Sequence, residues 1–233
     1  MLIFRYCLLS TIIMVVLVAP DTKALTISWG NDLATNTLQD SNDTALGTEF
    51  KFELGTFTDH SGGQPGTAID PSGVSYSTWD TFWKPIDFAV DGAGWDPGLG
   101  TFARESDLIE TAVGSNLARP AALGTSTDFF SDPQGGITGG EKLYLWVHNG
   151  TVLGGSDATQ AALITATGWL IPDYETHTLP FEMNLQNADT AVVGSLSVKD
   201  VNLQLAAVPE PSAAALLLLT AAGGLAFSRK RCR

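Results

Sequence analysis

The chain has 233 residues, of which 25 are acidic and 12 are basic, giving a net charge of −13 at pH 7. Residues 25–207 contain 23 of the acidic side chains and only 6 basic ones, so the net charge of this region is about −17. A region this acidic repels phosphate backbones, which excludes nucleic acid as its partner. With 44% apolar and 16% charged residues, the composition is that of a folded chain and excludes a disordered one.

Both cysteines of the chain, Cys7 and Cys232, lie outside residues 25–207. That region therefore contains no disulfide, no thiolate metal ligand and no cysteine nucleophile. Packing and hydrogen bonds must hold its fold together.

The first 24 residues have the pattern of a secretory signal peptide. A single basic residue, Arg5, precedes an apolar run from Leu8 to Val18, and polar and small residues follow. A run of this length predicts a signal helix with cleavage between Ala24 and Leu25. An uncleaved N-terminal membrane anchor is the alternative interpretation.

The last 26 residues combine three features that are typical of membrane sorting. A proline-containing block comes first, then residues 212–228 without any charge, and then a basic tail. The 17 uncharged residues would span about 26 Å as a transmembrane helix, enough for a thin bilayer. Basic residues directly after such a helix stay on the cytoplasmic side and stop its transfer. The block consists of Val208, Pro209, Glu210, Pro211 and Ser212, and the basic tail contains Arg229, Lys230, Arg231 and Arg233.

This arrangement resembles the PEP-CTERM sorting signal of Gram-negative bacteria, and the resemblance covers residues 208–233. It implies that the export machinery and an exosortase, a membrane-embedded cysteine transpeptidase, handle the chain. It also implies passage through the inner membrane and an organism that makes an extracellular polysaccharide matrix. It implies no activity for residues 25–207, because very diverse domains carry this signal. An ordinary single-span anchor after a proline-rich linker is the alternative.

The region between the two terminal segments is punctuated by turn residues at short intervals, which favours many short β-strands. Residues 49–54 alternate strictly between charged and apolar side chains and predict a half-buried strand that ends at Gly55. Residues 143–147 are apolar on both faces and predict a central strand. Further strands are predicted at residues 25–29, 162–165 and 169–171.

Two less regular patterns complete the fold prediction. The apolar residues change parity at Lys199-Asp200 between Leu196 and Leu205, which predicts one strand with a β-bulge there. Residues 106–113 predict a helix of about two turns. Because no long amphipathic helix, repeat or dividing linker is present, we expect residues 25–207 to form one all-β domain, a jelly-roll-like β-sandwich.

Residues 25–207 contain no recognisable catalytic or metal-binding motif. The histidines His60, His148 and His177 have no His or Cys partner at metal-ligand spacing and are interpreted as ordinary surface residues. We therefore predict that the protein is not an enzyme and requires no cofactor. A glycoside-active site made of two facing carboxylates, with the aspartates around Trp79 and Trp95 as candidates, is the less favoured alternative.

Three aspartates near Gly92 form a candidate calcium site. Asp87, Asp91 and Asp96 supply oxygen ligands on one stretch of chain, although their spacing is not that of an EF-hand. The alternative is a solvated acidic surface that keeps an exported protein soluble.

The six tryptophans raise the question of carbohydrate binding. Trp146 and Trp169 lie in apolar strands and are predicted to be core residues. Trp79, Trp83 and Trp95 lie in loop-like sequence, where packing in the interior is the favoured interpretation and contact with an extracellular polysaccharide the alternative.

These observations together predict an exported structural protein of the cell surface or extracellular matrix. An extracellular carbohydrate-binding module is the alternative. Exposure of the three tryptophans in loop-like sequence discriminates between the two.

Overall fold

The computed structural model describes residues 24–31, 37–59, 67–110, 117–118, 139–151, 154–172, 180–196 and 203–208. Ala24 opens the first strand, and the rest of the predicted signal peptide lies outside the described residues. The predicted sorting signal lies outside them as well, except for its first residue, Val208. The described residues form β-strands and short helical turns, which confirms the all-β prediction.

The described residues contain fifteen strands and one four-residue α-helix. Three 3₁₀ turns also occur, at Pro71–Gly73, Tyr76–Thr78 and Leu185–Asn187. The elements are β1 (Ala24–Gly30), β2 (Leu38–Gln39), β3 (Lys51–Asp59), β4 (Thr67–Ala68), α1 (Trp79–Phe82), β5 (Trp83–Asp91), β6 (Gly94–Asp96), β7 (Thr101–Glu110), β8 (Leu117–Ala118), β9 (Tyr144–His148), β10 (Gln160–Thr165), β11 (Phe181–Asn184), β12 (Thr190–Val193), β13 (Ser195–Leu196), β14 (Leu203–Gln204) and β15 (Ala206–Ala207).

Twelve of these strands form one curled sheet in the order β11-β1-β7-β6-β5-β3-β9-β10-β12, with β4, β8 and β15 paired to β3, β7 and β10. The two strands at the ends of this order, β11 and β12, are joined by residues 185–189. So short a connection brings the two ends of the sheet close together. A second sheet has the order β13-β14-β2.

The main core lies on the inner face of the curled sheet. Every second residue of the strands points into it, as the period-two pattern predicts. In β3 these residues are Phe52 and Leu54, which are 0% exposed. Neighbouring strands contribute Leu25, Ile27, Trp29, Leu145, Val147, Ala162 and Ile164 to the same cluster.

A second, aromatic cluster lies on the opposite face of the central strands. Phe57, Trp83, Tyr144 and Trp146 form it together with Trp79 of α1. The central strands are therefore covered on both faces. This confirms the prediction of a central strand at residues 143–147. A strand is confirmed within residues 49–54 as well, but the prediction that it is half-buried is wrong, because Glu53 on its other face is also buried.

Gly55 does not end β3. The strand continues to Asp59, and its pairing with β5 shifts register between Leu54 and Gly55. A Cβ on Gly55 would lie 2.4 Å from the Lys84 carbonyl oxygen and 2.7 Å from the Trp83 ring. The glycine therefore allows close packing within the sheet, where the sequence alone suggested a terminator.

Three other sequence predictions fail in whole or in part. Residues 106–110 belong to β7, in which Ser106 and Leu108 are buried on the inner face and pairing with β1 replaces the predicted helix. Leu196 lies opposite Leu203 in an antiparallel pair, so the two residues belong to two strands and not to one strand with a bulge. Lys199-Asp200 itself lies outside the described residues. The predicted strand at 169–171 is reduced to a single bridge between Lys142 and Leu170.

The close packing at Gly55 leads to a test of stability. We expect Gly55→Ala to lower the free energy of unfolding by about 2 kcal/mol, because the added methyl group overlaps backbone and indole atoms. Gly73→Ala is the control, since a Cβ there meets nothing within 4 Å, and its effect should stay within about 0.5 kcal/mol. Denaturant unfolding measures both, and equal effects would contradict the packing argument.

Candidate functional site

Glu53 is a fully buried carboxylate on the aromatic side of the sheet. Its Oε1 accepts a hydrogen bond from His148 Nε2 at 2.8 Å, and its Oε2 accepts one from Trp83 Nε1 at 2.8 Å. The backbone N–H of Gly154 donates to both carboxylate oxygens at 3.1 Å. Three donors therefore replace the water that the carboxylate loses on burial.

The register of the sheet brings these groups together. Glu53 lies opposite Trp146 in the antiparallel pair of β3 and β9, and His148 follows on the same face of β9 two residues later. Gly154 and Gly155 have φ angles of 79° and 54°, which only glycine adopts readily, and this places the loop backbone directly over the pair.

The hydrogen bonds of His148 define its protonation pattern. Its Nδ1 accepts a hydrogen bond from the Gly150 N–H at 3.1 Å, so the ring proton lies on Nε2 and is donated to Glu53. The site is thus assigned a neutral histidine beside an ionised carboxylate. The sequence interpretation of His148 as a surface residue is wrong, because it is 0% exposed.

The loop after β9 is fixed to this centre at several points. Lys51 Nζ donates to the Gly150 carbonyl, and the Tyr76 hydroxyl donates to the Gly155 carbonyl at 2.9 Å. Asp157 accepts a hydrogen bond from the Thr151 N–H at 2.8 Å. These hydrogen bonds hold the loop on the sheet. Because Glu53 and His148 have no exposed surface, neither side chain is accessible to a substrate.

Asp87 is a second fully buried carboxylate, on β5. It accepts hydrogen bonds from Trp29 Nε1 at 3.0 Å, from the Arg104 guanidinium at 3.3 Å and from the Ser106 hydroxyl. The Arg104 side chain, 32% exposed, connects this interior charge to the surface. Asp87 thereby links β1, β5 and β7 across the interior.

The calcium interpretation is therefore corrected. Asp87 points into the interior, whereas Asp91 and Asp96 are exposed, and Asp96 caps a turn by accepting from the Gly98 and Leu99 N–H groups. Among the residues that the structure describes, no three or more His, Cys, Asp or Glu side chains are grouped to hold a metal ion. A buried Asp87 also removes one candidate from the alternative of two facing catalytic carboxylates.

The three tryptophans considered for glycan contact are all interior. Trp79, Trp83 and Trp95 are 2%, 5% and 2% exposed. Trp95 Nε1 donates to the Gly47 carbonyl at 3.0 Å, and its ring lies 4.8 Å from that of Phe52. Core packing is thus confirmed for these residues, and the alternative that they stack on a polysaccharide is wrong.

Sequence reasoning missed Glu53 and His148 as interior residues. In the alternating pattern Glu53 falls on the charged face, which a half-buried strand would turn to solvent. One signal was available, because residues 143–147 are apolar on both faces and so predict cover over that side of the sheet. Nothing in the sequence indicated which residues of the neighbouring strand share this cover.

A groove with a volume of about 530 Å³ runs over β1, β7 and β11. Ser28, Glu105, Glu182 and Asn184 are among its polar lining residues, and its described lining includes no histidine or cysteine. Within this lining the Ser28 hydroxyl donates to Glu105 Oε1 at 3.4 Å, on the exposed face of β1 and β7.

The described fold continues to the edge of the sorting block. β15 pairs with β10, with Ala207 opposite Gln160, and the Val208 N–H donates to the Thr159 carbonyl at 2.8 Å. Val208 also packs against the aromatic cluster. The body of the protein therefore extends to the residue before Pro209.

Comparison with known proteins finds no match to any family model, curated protein or solved structure. Within the described ranges, no helix combines the length and apolar character needed to cross a membrane.

The Glu53 centre can be tested by an isosteric change. Glu53→Gln places an amide N–H₂ among donors from His148, Trp83 and Gly154, and we expect it to lower the free energy of unfolding by about 3 kcal/mol. Glu182→Gln makes the same change on an exposed strand residue and should shift the value by less than about 0.5 kcal/mol. A loss that is the same in both variants would show that the buried network does not stabilise the fold.

Tyr144 of the aromatic cluster should make the folded protein less stable at high pH. Burial, assisted by the nearby charge of Asp70, raises the pKa of Tyr144 to about 12. The unfolded chain loses this proton near its ordinary pKa of 10.0, so the free energy of unfolding should fall as pH rises from about 10 to 12. Tyr144→Phe should show a smaller fall in denaturant unfolding at pH 8 to 11, and an identical pH dependence would contradict this assignment.

Proposed function

We propose that this chain is an exported structural protein of the cell surface or extracellular matrix, delivered by its C-terminal sorting signal. One observation carries the proposal. The sequence Pro209-Glu210-Pro211, the uncharged run 212–228 and the basic tail follow directly on Val208, where the described fold ends. The block therefore follows, in the sequence, a residue that is hydrogen-bonded to the body, and this adjacency supports the proposal.

The chemistry of this segment fits handling by a membrane-embedded sorting enzyme. Pro209 and Pro211 lack N–H donors and restrict φ, and such residues favour an extended chain over a helix. Glu210 is the charged side chain that such an enzyme would meet at the bilayer surface. The basic tail resists transfer, because moving charged side chains through hydrocarbon costs about 3 kcal/mol or more for each.

The body is suited to a structural role outside the cell. Its net charge of about −17 favours solubility, and its fold is stabilised without cysteines by two carboxylate networks and two apolar clusters. We propose that residues 25–207 form one jelly-roll-like β-sandwich. The short link between β11 and β12, and the inner core shared by β1, β3 and β9, support this architecture.

The sorting proposal predicts distinct effects for two parts of the signal. Replacing Pro209, Glu210 and Pro211 with alanine should leave export intact and retain full-length protein in the inner membrane. Replacing the four basic residues of the tail with serine is the matched change, and it should disturb topology while the motif stays present. Cell fractionation and mass spectrometry of the mature C-terminus distinguish these results. Surface-released wild-type protein that still ends at Arg233 would refute the sorting proposal.

A further inference from the structure

An exposed turn follows β2 at residues 40–44. The Asp40 N–H donates to the Thr44 carbonyl at 2.7 Å, and Asp43 has a φ of 62° within the turn. Asn42, Asp43 and Thr44 are all exposed, while Leu38 and Leu46 on either side are buried. The turn is therefore presented on the surface by two anchors in the core.

The three exposed residues read Asn-Asp-Thr, which is an acceptor sequence for N-glycosylation. We propose that Asn42 is N-glycosylated after export. This inference rests on the proposed function, because export is what brings the turn to the enzyme.

The reaction requires a lipid pyrophosphate-linked oligosaccharide as its donor. Asn42 Nδ2 forms a bond to the anomeric carbon of the first sugar, the bond from that carbon to the pyrophosphate oxygen breaks, and the lipid pyrophosphate leaves. One amide proton of Asn42 passes to a base. No oxidant or reductant is needed.

The side chain of Asn42 is available for this step. Its Nδ2 makes one exposed hydrogen bond, to Asp40 Oδ2 at 3.2 Å. The Asp40 carboxylate also accepts from the Asn42 and Thr44 N–H groups, and these bonds lower its pKa. Gln204 holds the turn through Asp43, so the acceptor amide itself stays on the open side.

The chain contains a second sequence of this kind that serves as an internal control. Asn149-Gly150-Thr151 also matches the acceptor pattern. The Asn149 side chain donates to Thr159 Oγ1 at 2.9 Å and accepts from the N–H groups of Thr159 and Gln160 at 3.0 Å. The Thr151 hydroxyl is bound to Asp157. We expect this second asparagine to remain unmodified.

The test expresses the full chain in bacteria that contain an oligosaccharyltransferase and its lipid-linked oligosaccharide. Trypsin separates the two sequences, since Asn42 lies before Lys51 and Asn149 lies between Lys142 and Lys199. Mass spectrometry of the exported protein should show the glycan mass on the Asn42 peptide alone. Asn42→Gln and Thr44→Ala should abolish it, whereas Thr44→Ser and Asn149→Gln should preserve it.

The outcomes separate this inference from the proposed function. Exported protein with unmodified Asn42, in cells that glycosylate a control acceptor, would overturn the inference and leave the sorting proposal intact. A glycan on Asn149 would overturn it as well. Chain retained in the cytoplasm would refute export, and a version with a standard signal peptide in place of residues 1–24 would then decide the fate of Asn42 independently.

Discussion

The burial of Glu53 is the constraint on which the centre of this structure depends. A carboxylate on a central strand must be satisfied entirely by protein donors, because the aromatic cluster excludes water from it. His148, Trp83 and Gly154 supply those donors from β9, β5 and the loop after β9. The single side chain of Glu53 therefore fixes the positions of β9, β5 and the loop after β9 relative to one another. Losing any one of them would leave a charge buried without its partner.

Asp87 satisfies the same constraint in a different way. Its partners include the Arg104 guanidinium, so this buried charge is neutralised by an ion pair that reaches the surface. Glu53 instead accepts hydrogen bonds from His148, Trp83 and Gly154, and solvent does not reach its carboxylate. Both centres join strands that are distant in sequence. In a region without cysteines, such networks provide specific links that the apolar clusters, being non-directional, do not provide.

Many of the other acidic residues that the structure describes lie on the outside, although Glu141 is buried. Exposed carboxylates such as Asp91, Asp96 and Glu182 keep the body soluble and lie apart from the interior networks. The two features that we connect with export also lie at the outside. The turn at Asn42 projects between buried anchors, and the chain leaves the sheet at Val208 after a backbone hydrogen bond to Thr159. The interior networks stabilise the fold, and the features that we connect with export lie at the surface.

The sequence by itself determined the class of the fold and several of its strands. Alternation or continuous apolar character located β1, β9 and β10, because side chains of a strand face opposite sides whatever its partners are. It also indicated the terminal segments, whose physical requirements are local.

Only the tertiary structure decided what covers each face. Glu53 and His148 read as polar surface residues until α1 and the glycine loop are placed over them. Trp79, Trp83 and Trp95 lie in loop-like sequence, and the packing around them in the tertiary structure decides that they are buried. Residues 106–110 form a strand because pairing with β1 outweighs their weak helical pattern, and Gly55 continues a strand because Trp83 fills the space beside it. Burial and pairing depend on neighbours that are distant in the chain, so no local pattern could supply them.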